Sequence, residues 1–187
     1  MKKLNTFALL FLSISIFYSC SDNDDPQIVN AEEVITTITA TLTPQAGGTA
    51  ITLQSRDLDG DGPNVPVITV SGNLAASTTY TGVMEVLNET VSPADDVTEE
   101  VLEEGLEHQF FFTPTNNIAT VTYSDMDEDG NPIGIEFTLT TTAAGTGDIT
   151  ITLIHEPNKG GVGVTSGDIT NAGGETDAEE TFAITVQ

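Results

Sequence analysis

An all-β domain is the fold this sequence predicts: an antiparallel, immunoglobulin-like β-sandwich of about nine strands with one short acidic helix. Two observations predict it. Apolar side chains recur at every second position in segment after segment, with threonines filling the alternate places and Gly, Pro, Asn or Asp standing between most segments. The rhythm breaks once, at residues 92–107, where the spacing of apolar residues becomes helical.

Taken in order, Val34, Thr36, Ile38, Ala40 and Leu42 alternate with Ile35, Thr37, Thr39 and Thr41, the pattern of a half-buried strand. Ile51 and Leu53 flank Thr52, residues 67–71 make a further short run, and Tyr80, Gly82, Met84 and Val86 share one face of the next. Ser92 then reads as an N-cap and Pro93 as the first helical residue. Val97, Val101, Leu102 and Leu106 form an apolar stripe opposite Asp95, Asp96, Glu99, Glu100, Glu103, Glu104 and Glu107. Strand rhythm resumes at residues 108–113, where Phe110 to Phe112 supply core and edge. It continues at Val121 and Tyr123, from Ile133 to Leu139, from Ile149 to Leu153, and at Phe182, Ile184 and Val186.

Ahead of this domain the organisation changes. Lys2 and Lys3, an apolar stretch over residues 7–17 and Ser19 before Cys20 predict a lipoprotein signal peptide over residues 1–19, with lipid attached to the Cys20 thiol. The stretch is too short and too often interrupted by Asn, Thr and Ser for a spanning helix, which needs about 20 apolar residues. Residues 20–32 read as an acidic flexible tether and 33–187 as a single domain. The expected location is the outer membrane, at the cell surface or the periplasmic face.

Charge bounds the function. Cleavage before Cys20 leaves two bases, Arg56 and Lys159, against all 29 acids, hence a formal charge of −27. Nucleic acids and anionic surfaces require clustered Lys and Arg, so they are excluded as partners, whereas cations and basic proteins suit the chain. No second cysteine exists to form a disulfide with Cys20.

Two loops have the oxygen spacing of calcium sites. Asp57, Asp59 and Asp61, with Asn64, surround Gly60 and Gly62. Asp125, Asp127 and Asp129 precede Gly130, with Glu136 at the twelfth position of an EF-hand-like loop. Strand-like flanks make the second loop equally a hairpin turning at Asp129, Gly130 and Asn131. Bound Ca²⁺ is the cofactor these loops suggest. His108 and His155 stand at strand edges, each beside a glutamate; a zinc or copper site would need both to converge with acids, and otherwise they are surface or capping histidines. The nucleophile elbow, the His-Glu-x-x-His helix and phosphate-cradling loops are missing from the sequence, so no enzyme is expected.

Residues 33–37, Arg56 to Gly62, Leu87 to Thr90, Glu107 to Phe111, His155 to Lys159 and Gly167 to Glu175 resemble a family of small flavobacterial lipoproteins of the Bacteroidota, often labelled "type 1 periplasmic-binding" protein. The two-lobed alternating fold of that label is not the one this strand pattern specifies. What the resemblance implies is an accessory role beside a TonB-dependent outer-membrane receptor. Two functional expectations result: a lipid-anchored, non-catalytic binding module serving cation or nutrient uptake, or a structural or adhesive surface lipoprotein whose calcium stiffens loops.

Overall fold

A computed structural model describes residues 33–59 and 63–187; the expected signal peptide and tether, the expected lipidation site Cys20, and Asp61 lie outside the described residues. The strands are β1 (Thr37–Pro44), β2 (Ile51–Arg56), β3 (Val67–Val70), β4 (Thr79–Asn88), β5 (Asp95–Asp96), β6 (His108–Pro114), β7 (Ala119–Tyr123), β8 (Glu136–Thr141), β9 (Gly145–His155) and β10 (Glu175–Val186), with α1 (Val97–Glu103) between β5 and β6. They form two antiparallel sheets. One runs β3-β2-β1-β4-β8-β7 with β5 added beside β4, and the other runs β10-β9-β6.

Alternation explains the layering. Ile38, Ala40 and Leu42 of β1, Tyr80, Met84 and Val86 of β4 and Phe137 and Leu139 of β8 meet Phe110 and Phe112 of β6, Ile149, Ile151 and Leu153 of β9 and Phe182, Ile184 and Val186 of β10. Phe112 and Phe137 join the two sheets with ring centroids 4.1 Å apart. Phe111 and Ile154 have the opposite parity and bury against Val164 and Ala172, so the long connection after β9 covers the back of the small sheet.

The helix corrects the sequence reading. Asp95 and Asp96 pair with Leu87 and Asn88 at the end of β4, so residues 92–94 are not helical. Asp96 is the N-cap, its side chain accepting from Thr98 N. The helix ends at Glu103. Val97 and Val101 are buried, but Leu102 and Leu106 stay about half exposed because the chain leaves helical geometry before Leu106 could rejoin the stripe.

The strand expected from Ile133 begins instead at Glu136. Residues 133–135 are tied to both sheets: Ile133 accepts through its carbonyl from Phe110 N, and Ile135 from Met84 N. A segment so shared cannot continue one ladder. The hairpin before it turns as expected, with Asp127 N donating to Asn131 O, Gly130 N to Asp127 O, and Gly130 at φ +81°.

Candidate metal centre

Antiparallel register brings the two histidines together. His108 is the first residue of β6, His155 the last of β9, and they are directly opposed. Both have the parity of Phe110 and Leu153, so they extend the inner face of the small sheet at its end. Their rings stack with centroids 4.8 Å apart and planes 12° from parallel. His108 is completely buried, so of the surface and capping alternatives the surface one does not apply to it.

Acids reach this pair from three further segments. The register of β10 on β9 shifts between Thr176 and Ala178, and this bulge turns Asp177 inward so that Oδ2 lies 3.7 Å from His108 Nε2. Glu33, on the lead into β1, places Oε1 3.3 Å from the same nitrogen. Glu104, in the turn after α1, offers its backbone carbonyl 3.3 Å from His108 Nδ1. A carbonyl only accepts, so Nδ1 carries the proton and Nε2 faces the acids. Glu107 stands 3.8 Å from His155 Nε2 on the solvent side. Gly174, at φ +76°, allows β10 to arrive here, since a Cβ on it would lie 2.2 Å from the His155 carbonyl.

The neighbourhood is strongly negative. Burial alone would lower the His108 pKa, but the Glu33 carboxylate, the Glu104 carbonyl and Asp177 outweigh it and hold the pKa above the ordinary value. Glu100 is pushed up, first by burial and then by Glu33, Asp95, Glu104 and Glu103. A groove of about 500 Å³ opens beside the site between β1–β2 and β10, with Glu33, Asp57, Asp177, Glu179 and Glu180 on its walls. In it Glu180 is raised by burial, with Asp57 and Glu179 adding to the effect.

Both bases of the domain are committed elsewhere. Arg56 pairs bidentately with Glu89, which also accepts from the Thr37 hydroxyl. Lys159 Nζ is buried, donating to Asp127 Oδ2 at 2.9 Å and to the carbonyls of Gly105 and Pro132.

The sequence-predicted calcium ligands are placed differently. In the second loop Asp125 accepts from Gly134 N and Glu136 N, and Asp127 from Asn131 N, Asp129 N and Lys159. Protein donors thus occupy these carboxylates. Asp125, Asp127, Asp129 and Glu136 do not belong to any of the three groups of His and acid ligand atoms that converge within 4.8 Å among the described residues. In the first loop Asp57 accepts from Asp59 N, and Asp59 accepts from both the backbone and side-chain nitrogens of Asn64. Burial opposes, but those Asn64 bonds prevail and keep the Asp59 pKa below the usual range.

The groups that do converge are His108 with His155 and Asp177, His108 with Glu33 and Glu104, and His155 with Glu107 and Glu156. Sequence reasoning found the histidines but missed Glu33, Glu104 and Asp177. Only Asp177 left a trace, since counting inward positions back from Phe182 through Glu180 and Ala178 selects Thr176, and a bulge is needed to choose its neighbour. Comparison with protein-family models, curated proteins and solved structures gives no match to this chain.

Proposed function

We propose that this protein is a non-catalytic, lipid-anchored module of the cell envelope that binds metal cations at the end of its small sheet. The carrying observation is the convergence of His108, His155 and Asp177 from three separate strands, their ligand atoms within 4.8 Å of one another, with Glu33 3.3 Å from His108 Nε2 beside them. Two imidazoles and the Asp177 carboxylate lie at the inner end of the small sheet, where apolar side chains would cost less in desolvation. The groove with five carboxylates beside it concentrates cations near the cluster. Lipid attachment at Cys20 and service beside a TonB-dependent receptor complete the reading, supported by the basic and apolar run before Cys20 and the family resemblance.

The test is thermal unfolding of the full chain in chelator and then with a panel of divalent cations. A ligand present at 100 times its Kd stabilises by about 2.7 kcal/mol. At least one cation should raise the melting temperature in a saturable way. Identical melting in chelator and in every cation would overturn the proposal.

A further inference from the structure

We infer that the cluster is built for one first-row transition dication of the zinc type, held by His108 Nε2, a ring nitrogen of His155 and the carboxylate of Asp177, in preference to calcium or magnesium. This rests on the cation-binding reading above and names the ion class it takes.

Chemistry of the donor set comes first. Imidazole nitrogens suit zinc, copper and nickel, whereas calcium and magnesium are held by oxygens alone, calcium by six to eight of them. Here two of the three mutually close donors are nitrogen. Three protein ligands with a fourth position open is a recurrent arrangement of tetrahedral zinc.

Geometry agrees. With bonds of about 2.0–2.1 Å, neighbouring ligand atoms of a tetrahedral ion stand about 3.3–3.4 Å apart. Glu33 Oε1 lies 3.3 Å and Asp177 Oδ2 3.7 Å from His108 Nε2. His108, His155 and Asp177 each offer a ligand atom within 4.8 Å of the other two. Closing that set onto an ion requires the His155 ring to turn out of its stack on His108, because the lone pairs of two rings 12° from parallel cannot meet at one point.

A second, independent observation points to a ligand. His108 is entirely buried, yet among the described residues its Nε2 makes no well-formed hydrogen bond and faces only the carboxylates of Glu33 at 3.3 Å and Asp177 at 3.7 Å; Glu33 Oε2 likewise has no hydrogen-bond partner among them. An orphaned buried nitrogen carries a desolvation cost that a coordinate bond removes. The other ring nitrogen is already held by the Glu104 carbonyl, the outer contact that fixes tautomer and orientation in metal-binding histidines. The register shift between Thr176 and Ala178 places Asp177 beside His108, as a ligand-aiming bulge would.

Competition titrations on the full chain, with Zn²⁺, Ni²⁺, Ca²⁺ and Mg²⁺ as probes, decide the matter. One Zn²⁺ per chain should bind at least 100-fold tighter than Ca²⁺. His155→Asn and Asp177→Asn should each weaken Zn²⁺ at least tenfold while leaving the chelator-treated fold intact by circular dichroism. His108→Asn replaces a wholly buried ring and is expected to impair folding, so the two other variants carry the test; Co²⁺ substitution adds a direct readout, with ligand-field bands lost in both variants. Zn²⁺ binding no tighter than Ca²⁺, or unchanged in both variants, would sink the assignment while leaving the cation-binding reading in place. Failure of all four ions to bind would remove both.

Discussion

The Lys159 ammonium lies 2.9 Å from Asp127 Oδ2, with the carbonyls of Gly105 and Pro132 completing its surroundings, and both side chains are sealed from solvent. A loop that the sequence presents as a calcium site thus contains a cation supplied by the chain itself. The same contact ties the turn after α1, the 125–133 hairpin and the connection after β9 into one unit below the histidine pair.

Removing that cation should be costly. Lys159→Met leaves Asp127 charged and buried, and breaking one side of a buried pair costs about 3–5 kcal/mol. The double variant Lys159→Met, Asp127→Asn should recover much of this. Chemical denaturation of the single and double variants measures both, and additive losses would refute the pairing.

Acid should undo the same contact. Burial by itself would raise the Asp127 pKa, but the Lys159 ammonium and the amides of Asn131 and Asp129 outweigh it, leaving the group below the ordinary carboxylate value. With the folded pKa depressed, the stabilisation is fully present above the unfolded value near 4 and disappears as pH falls through the lower folded value. Denaturation midpoints taken from pH 5 to pH 2 should therefore fall more steeply for the parent protein than for Asp127→Asn.

Packing between strands yields a third expectation. Gly82 faces Phe137 across β4 and β8, and a Cβ there would stand 2.3 Å from the ring. That ring also contacts Phe112 of the other sheet, so it has no room to withdraw. Gly82→Ala should cost about 1–3 kcal/mol by overpacking, read as a drop in melting temperature, whereas Ala in place of the exposed Gly130 neighbour Asn131 should not show this core effect.

Strand periodicity made most of the sandwich readable, because an inward residue on a two-sided sheet has to be apolar and Ile38 to Leu42, Tyr80 to Val86 and Ile149 to Leu153 obey that rule without exception. Places where backbone bonding departs from the ladder were not readable. Ile133 and Ile135 alternate like a strand but accept through their carbonyls from amides of different sheets, and Ser92 looks like a cap although Asp96 performs that task. The cluster was half legible for the same reason. His108 and His155 are rare residues at strand ends, but their pairing depends on the register of β6 on β9, and Asp177 depends on a bulge that no local residue preference marks. Acidic spacing alone does not show what the carboxylates bond to: Asp125 and Asp127 are spaced like calcium ligands and accept amide protons of their own hairpin.

Alkaline pH offers the last expectation, through Tyr123. Its hydroxyl donates to the Phe110 carbonyl at 2.7 Å and receives Gln109 Nε2 at 3.2 Å, on the flank of β6 that leads to His108. Burial pushes its pKa up to about 12; the Gln109 bond opposes this and the nearby Asp125 charge adds to it. The sign is that of an acid favoured neutral in the folded state. Stability is fully present below the unfolded pKa of about 10 and is lost as pH rises through 12, a loss approaching 2–3 kcal/mol for two pKa units. Tyr123→Phe abolishes this titration together with the Phe110 bond, so the variant should start less stable at pH 7 and lose less between pH 9 and 12. Ultraviolet titration supplies the direct check: a tyrosinate band from Tyr123 appearing near pH 10 in the folded protein, absent from the Phe variant, would contradict the buried geometry.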